Sequence, residues 1–169
     1  MSKKTRKITQ AALIAALYVA LSYLQNFLLP GTTSMAIQIR VAEALCVLAF
    51  FSDSAVWGLT IGCLLFNVSY AHTLPLDFFV GTLASFLAAG GMYLTRKVTF
   101  FGYPLLGMLL PAVFNGLLIG WELSFYVGGA FWLNAAYVAI GEGISVLVLG
   151  SCLYYTIRAR HLDAWLRSF

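Results

Sequence analysis

The chain has 169 residues, of which 62% are hydrophobic and 9% charged, with a formal net charge of +4. Its mean hydropathy is +0.90 and its pI about 9.1. No soluble domain of this size could bury so much apolar surface, so the composition excludes a soluble enzyme and predicts one integral membrane domain.

The apolar stretches divide into six predicted membrane helices. The first covers about residues 8–29 and ends at the breaker Pro30-Gly31. It is of full membrane length and lacks a small-residue cleavage site, so it reads as a span and not as a signal peptide. The second, about 36–51, is short and carries Gln38, Arg40 and Glu43. Ser52-Asp53-Ser54 supplies cap chemistry for the third, about 55–69. Thr73 and Pro75 suit the start of the fourth, about 75–95. The fifth, about 103–121, begins beside Pro104 and contains Pro111, which has no N–H to offer Gly107 and predicts a local kink. The sixth covers about 131–157.

Basic residues orient the bundle. Lys3, Lys4, Arg6 and Lys7 precede the first span, Arg96 and Lys97 follow the fourth, and Arg158, Arg160 and Arg167 follow the sixth. With six spans these all face one side, which the positive-inside rule makes the cytoplasm, with both termini there. The basic excess therefore belongs to a membrane rim that meets anionic lipid and does not imply nucleic acid. Arg40 is the one exception.

That orientation places most of the acids and amides near the outer half of the membrane. Arg40 and Glu43 are three apart and predicted to pair on one helix face. Asn67 ends the third helix; Asp77 begins the fourth, with Gly81 and Ser85 on the same face. Asn115 and Glu122 are seven apart on the fifth helix; Asn134 and Glu142 lie on the sixth. Ionisable groups in hydrocarbon cost roughly 2.5–3.5 kcal/mol each on insertion scales and normally face a bundle interior or cavity. Together these residues predict a water-accessible pocket open to the outside. Trp121, Tyr126, Trp132 and Tyr137 lie near the same level, where they form either stacking faces or an interfacial belt. Carboxylates, amides and aromatic faces around one guanidinium suit a planar, nitrogen-rich heterocycle, cationic or neutral.

Several chemistries lack their signatures. The chain has no Gly-x-x-x-x-Gly-Lys-Ser/Thr loop, no His-Glu-x-x-His and no Gly-x-Ser-x-Gly. His72 and His161 are far apart, and His72 reads as a loop residue. Cys46, Cys63 and Cys152 read as small core residues. Neither a cofactor nor a metal is expected. On the first helix Ala12, Ala16 and Ala20 recur at steps of four, with Ala11 and Ala15 beside them. Small residues at that spacing let another helix approach closely. Gly58–Gly62 and Gly116–Gly120 are further pairs of the same kind.

The blocks IQIRVAEALCVLAFF, GLTIGCLLFN, LDFFVGTLASFLAA, PAVFNGLLIG and VAIGEG, in this order, resemble the QueT branch of the substrate-binding S components of energy-coupling factor (ECF) transporters, over about residues 8–157. The resemblance implies a six-helix S-component fold in a prokaryotic plasma membrane. It also implies capture of a queuosine precursor, a 7-deazaguanine, and assembly with a transmembrane coupling subunit and two ATPase subunits. Delivery would be by toppling of the bundle. It carries pocket roles to Arg40, Glu43, Asn67, Asp77, Asn115 and Gly141–Glu142, and docking roles to Ala12 and Ala16. With the residues read from the pocket's inventory, the predicted substrate set is Gln38, Arg40, Glu43, Asn67, Asp77, Asn115, Glu122, Trp132, Asn134 and Glu142. The predicted docking set is Ala12, Ala16 and Ala20. Alternatives left open are an S component for another vitamin-like substrate and a self-sufficient small transporter or channel.

Overall fold

The computed structural model describes residues 2–32, 37–69 and 76–167, and among these the regular elements are all helical. Helix α1 spans Lys3–Leu28, capped by the Ser2 hydroxyl on the Thr5 N–H. A 3-10 helix follows at Val41–Phe50. Then come α2 (Asp53–Ser69), α3 (Asp77–Thr95) and α4 (Leu105–Tyr126). The last long rod is continuous from Phe131 to Ala159: α5 (Phe131–Ile144), a π-helical turn (Ser145–Gly150) and α6 (Ser151–Ala159). A short α7 (Leu162–Arg167) ends the described chain. Thr73, Pro75 and His72 lie outside the described residues.

Four of these helices are long and apolar enough to cross a membrane: Lys3–Leu28, Asp77–Thr95, Leu105–Tyr126 and Phe131–Ala159. At about 1.5 Å per residue the shortest of them is about 28 Å long, close to a hydrocarbon core of about 30 Å. Large apolar side chains such as Leu13, Phe27, Phe79, Leu94 and Val148 are exposed along them, as a lipid-facing surface requires.

The second predicted helix takes another form. Residues 38–40 are not helical, with Arg40 extended, and the α-helix expected over 36–51 is a 3-10 helix from Val41. This segment is apolar on every side apart from Glu43, so it has no face to offer solvent and sits in the centre. Its residues Ala42 to Phe50 are all buried, packed among α1, α2, α3 and the π-helical turn. Around it Leu59, Met92, Met108, Val146 and Tyr154 complete the main core.

Close helix approach is made by the small residues. A side chain at Gly58 would meet the Ala11 carbonyl at 2.7 Å, and one at Gly62 the Tyr18 Cβ at 2.8 Å, so α2 lies directly on the Ala11–Ala15 face of α1. Gly116 and Gly120 do the same for α4 against Ala139 and Ala135 of α5. The α4–α5 connection turns through Gly128 and Gly129, both at positive φ, which suits glycine. Helix α4 runs on through Pro111, and the carbonyl of Pro111 accepts from the Asn115 side-chain amide at 3.0 Å.

The two ends of the bundle differ. Lys7, Ser52, Asp53, Tyr93, Arg96 and Leu166 line one cavity of about 250 Å³. The start of α1, the start of α2, the end of α3 and α7 therefore share one end. Lys7 pairs there with Asp53 at 2.5 Å, and the Gln10 side chain joins the Ser52 hydroxyl to the Leu166 carbonyl. Asp77 lies at the other end of α3, about 28 Å from Arg96 at about 1.5 Å per residue.

Candidate functional site

Away from the basic end, four helices and the segment before the 3-10 helix bring their polar residues inward. Asn115 and Glu122, two turns apart on α4, are both buried, as their seven-residue spacing predicts. Glu142 is buried on α5, Asp77 on the first turn of α3 and Asn67 near the end of α2. Gln38 and Arg40 come from the segment before the 3-10 helix, with Arg40 partly buried.

Gly81 explains how two of these fit side by side. A Cβ there would meet the Asn67 amide nitrogen at 2.6 Å and an Asp77 carboxylate oxygen at 2.7 Å. The absence of a side chain leaves the space that these groups share. Asn67 then donates to the Asp77 backbone carbonyl at 3.0 Å, tying α2 to the start of α3. Ser85 continues this inward face one turn beyond Gly81 and is also buried.

Arg40 is the one cation of the group, and its electrostatic partners are carboxylates on three different helices. Asp77, Glu142 and Glu122 lie within the range of its charge, and none forms an ion pair with it among the described residues. Its guanidinium reaches Gln38 Oε1 at 3.3 Å. The expected pairing of Arg40 with Glu43 does not form: among the described residues the ion pair present is Lys7–Asp53. The reason is the backbone. Arg40 precedes the 3-10 helix in an extended conformation (φ −112°, ψ 105°), so the i, i+3 geometry of a helix face does not apply. Glu43 instead accepts from the Tyr18 hydroxyl at 2.6 Å and from the Cys46 thiol at 3.1 Å. It thus lies at the floor of the group, next to Glu142.

Several buried polar atoms around Arg40 make no hydrogen bond within the protein: Arg40 Nε, Asp77 Oδ1, both carboxylate oxygens of Glu122, and Glu142 Oε2. Unsatisfied polar atoms are costly, about 1–3 kcal/mol each and more when charged, which makes this group the candidate binding site. Glu43, Glu122 and Glu142 are 0–1% exposed. These three carboxyl groups are therefore buried in the bundle. Among the described residues, one cavity lies at the basic end and another, of about 410 Å³, in the α1–α2 groove. The Gln38 backbone lies directly against Gly141, one residue from Glu142.

Two predicted residues do not join the group. Trp132 is 75% exposed and packs edge-to-face on Phe131. Asn134 donates to the Ser124 hydroxyl at 3.1 Å and to the Gly128 carbonyl at 3.0 Å, which fastens the α4–α5 turn. Trp121 and Tyr126 are exposed as well, while Tyr137 is half-buried, so the two tryptophans face outward in the manner of an interfacial belt. On α1, Ala12, Ala16 and Ala20 are exposed, whereas Ala15 is buried.

Two residues absent from the prediction support the site from below. Gln25 of α1 donates to the Ile39 carbonyl and accepts from the Val41 N–H at 2.7 Å. Ser145, at the start of the π-helical turn, accepts from the Arg40 N–H at 3.0 Å. A signal for Gln25 existed. Gln10, Tyr18, Ser22 and Gln25 form a buried polar line along one face of a membrane helix, where polar side chains seldom lie without a partner.

A family model described as QueT transporter matches residues 8–159. The queuosine precursor transporter QueT of Lactococcus lactis subsp. cremoris (strain MG1363) is 31% identical over 156 residues, covering 86% of this chain and 88% of the relative. No solved structure matches the chain. With most of its length matched by the family model, the chain is a member of the QueT transporter family.

Proposed function

We propose that the chain is the substrate-capturing S component of an energy-coupling factor importer and that its substrate is a queuosine precursor. The observation that carries this reading is the group of buried polar atoms around Arg40 in a chain of the QueT family. A 7-deazaguanine presents a ring N–H and an exocyclic amine, which carboxylates accept, and a carbonyl, which Arg40 or an amide can serve. The surplus of acids over the single guanidinium favours the aminomethyl precursor, which adds a cation. Gln38, Arg40, Asn67, Asp77, Asn115, Glu122 and Glu142 are the proposed contact residues, with Glu43 as the floor.

Six crossings are proposed, with both termini in the cytoplasm of a prokaryotic cell. The three non-helical residues 38–40 at about 3.3 Å each and ten 3-10 residues at about 2.0 Å each give about 30 Å, enough for a span. Residues 53–69 supply another. Lys7, Arg96 and Leu166 at one end support an even number of crossings with the basic end inside. ATP hydrolysis then belongs to two partner ATPases, and the exposed face of Ala12, Ala16 and Ala20 docks on the coupling subunit. Toppling carries the loaded site to the cytoplasm.

The direct test is calorimetry on the detergent-purified chain with the aminomethyl 7-deazaguanine, using riboflavin and biotin as controls. Selective, saturable binding is expected. Folded protein that ignores the 7-deazaguanine but takes a control ligand would reassign the substrate. Uptake that persists with an ATPase-dead partner would overturn the S-component assignment.

A further inference from the structure

Arg40 is carried by a stretch that has no regular structure of its own, so its aim depends on what holds the backbone on either side. In a membrane interior each backbone N–H and C=O needs an internal partner, because water is not there to substitute. Three consecutive groups flank the Arg40 side chain: the Ile39 carbonyl, the Arg40 N–H and the Val41 N–H. Two side chains satisfy all three. The Gln25 amide bridges across Arg40, donating to Ile39 O and accepting from Val41 N–H at 2.7 Å. From the opposite side, Ser145 Oγ accepts from Arg40 N–H at 3.0 Å and donates to the Gly141 carbonyl at 3.0 Å. Gln25 also donates to Thr32 Oγ1 at 3.0 Å, and the Thr32 carbonyl accepts from Ile39 N–H at 3.3 Å. Both residues are buried, Gln25 on α1 and Ser145 on the π-helical turn.

We infer that Gln25 and Ser145 are positioning residues for substrate recognition, clamping the backbone at Arg40 from two helices so that its guanidinium is held among Asp77, Glu122 and Glu142. This rests on the reading of that group as the substrate site. The hydrogen bonds described for Gln25 and Ser145 go to backbone atoms and to Thr32 and to none of the charged side chains, so their influence on substrate passes through Arg40. An arginine fork discriminates by geometry, and a fork on a loosened backbone retains its charge but loses its direction.

The test is a double-variant cycle on the full chain in detergent, read by calorimetry with the aminomethyl 7-deazaguanine as probe. Gln25→Leu keeps the side-chain size and removes the clamp; it is expected to weaken binding about tenfold. Arg40→Lys keeps a charge and removes the fork. In the Arg40→Lys background, Gln25→Leu is expected to cost less than about twofold more, since its effect runs through the guanidinium. Losses that multiply independently would overturn the inference, as a merely structural role predicts that result. If Gln25→Leu does not fold, Ser145→Ala enters the same cycle, with Ser145→Thr expected to restore affinity because it keeps the hydroxyl. Wild-type protein that binds the probe while Gln25→Leu and Ser145→Ala bind equally well defeats the positioning role alone. Wild-type protein that binds no probe defeats the substrate reading and this inference with it.

Discussion

Gly141→Ala tests the close contact between α5 and the segment that carries Arg40. A Cβ at Gly141 would lie 2.7 Å from the Gln38 carbonyl carbon and 2.9 Å from its nitrogen. Those are backbone atoms, which cannot rotate away as a side-chain tip can. The segment must therefore shift, and Arg40, two residues on, shifts with it. Forcing a methyl into a filled space costs about 1–3 kcal/mol. If that cost falls on the bound arrangement, affinity drops about 5- to 150-fold, at 1.4 kcal/mol per factor of ten. Gly143→Ala is the matched control: it lies on the same helix, and nothing stands within 4 Å of its Cβ position. Both substitutions make the same change in intrinsic helix preference, so the difference between them isolates the contact. The assay is calorimetric affinity alongside thermal unfolding in detergent. Equal affinity and equal midpoints for the two variants would refute the reasoning.

Other expectations follow from single contacts. Glu142→Gln should weaken substrate binding about tenfold while leaving membrane insertion intact, since it replaces a buried carboxyl by an amide and keeps the shape; wild-type affinity in a titration would remove Glu142 from the site. Tyr18→Phe takes away the hydroxyl that donates to the buried Glu43, leaving Cys46 as its remaining donor. Thermal unfolding should report a loss of about 1–3 kcal/mol, and an unchanged midpoint would count against Glu43 as a supported floor. Ala16→Leu, on the exposed side of α1, should leave binding by the purified chain unaltered and impair ATP-driven uptake in cells. Normal uptake would argue against docking on that face.

The sequence reads well where periodicity carries the information. Asn115 and Glu122 are buried together because seven residues return to the same face of a regular α-helix, and α4 is regular there. Gly81 and Ser85 follow Asp77 inward for the same reason. Arg40 and Glu43 part from their predicted pairing because the chain at Arg40 is not helical. VAEALCVLAF is apolar throughout apart from Glu43, so its pattern cannot tell a 3-10 helix from an α-helix. The clamp on Arg40 was invisible for another reason: its partners are backbone atoms 14, 16 and 105 residues from the side chains that hold them. No residue type at positions 39 to 41 announces such contacts. Trp132 shows the opposite failure, because an aromatic residue at the right depth can face inward or outward and depth alone does not decide.

Helix α1 carries two alanine registers one residue apart. The inner one, Ala11 and Ala15, sets its backbone carbonyls against Gly58 and Gly62 of α2, so enlarging either glycine would push two helices apart. The outer one, Ala12, Ala16 and Ala20, is exposed. Neighbouring codons thus answer to different constraints. Changes in the inner register are judged by whether the bundle assembles, and changes in the outer one by what the bundle meets in the bilayer. A helix arranged in this way can exchange one partner surface for another without renegotiating its own fold.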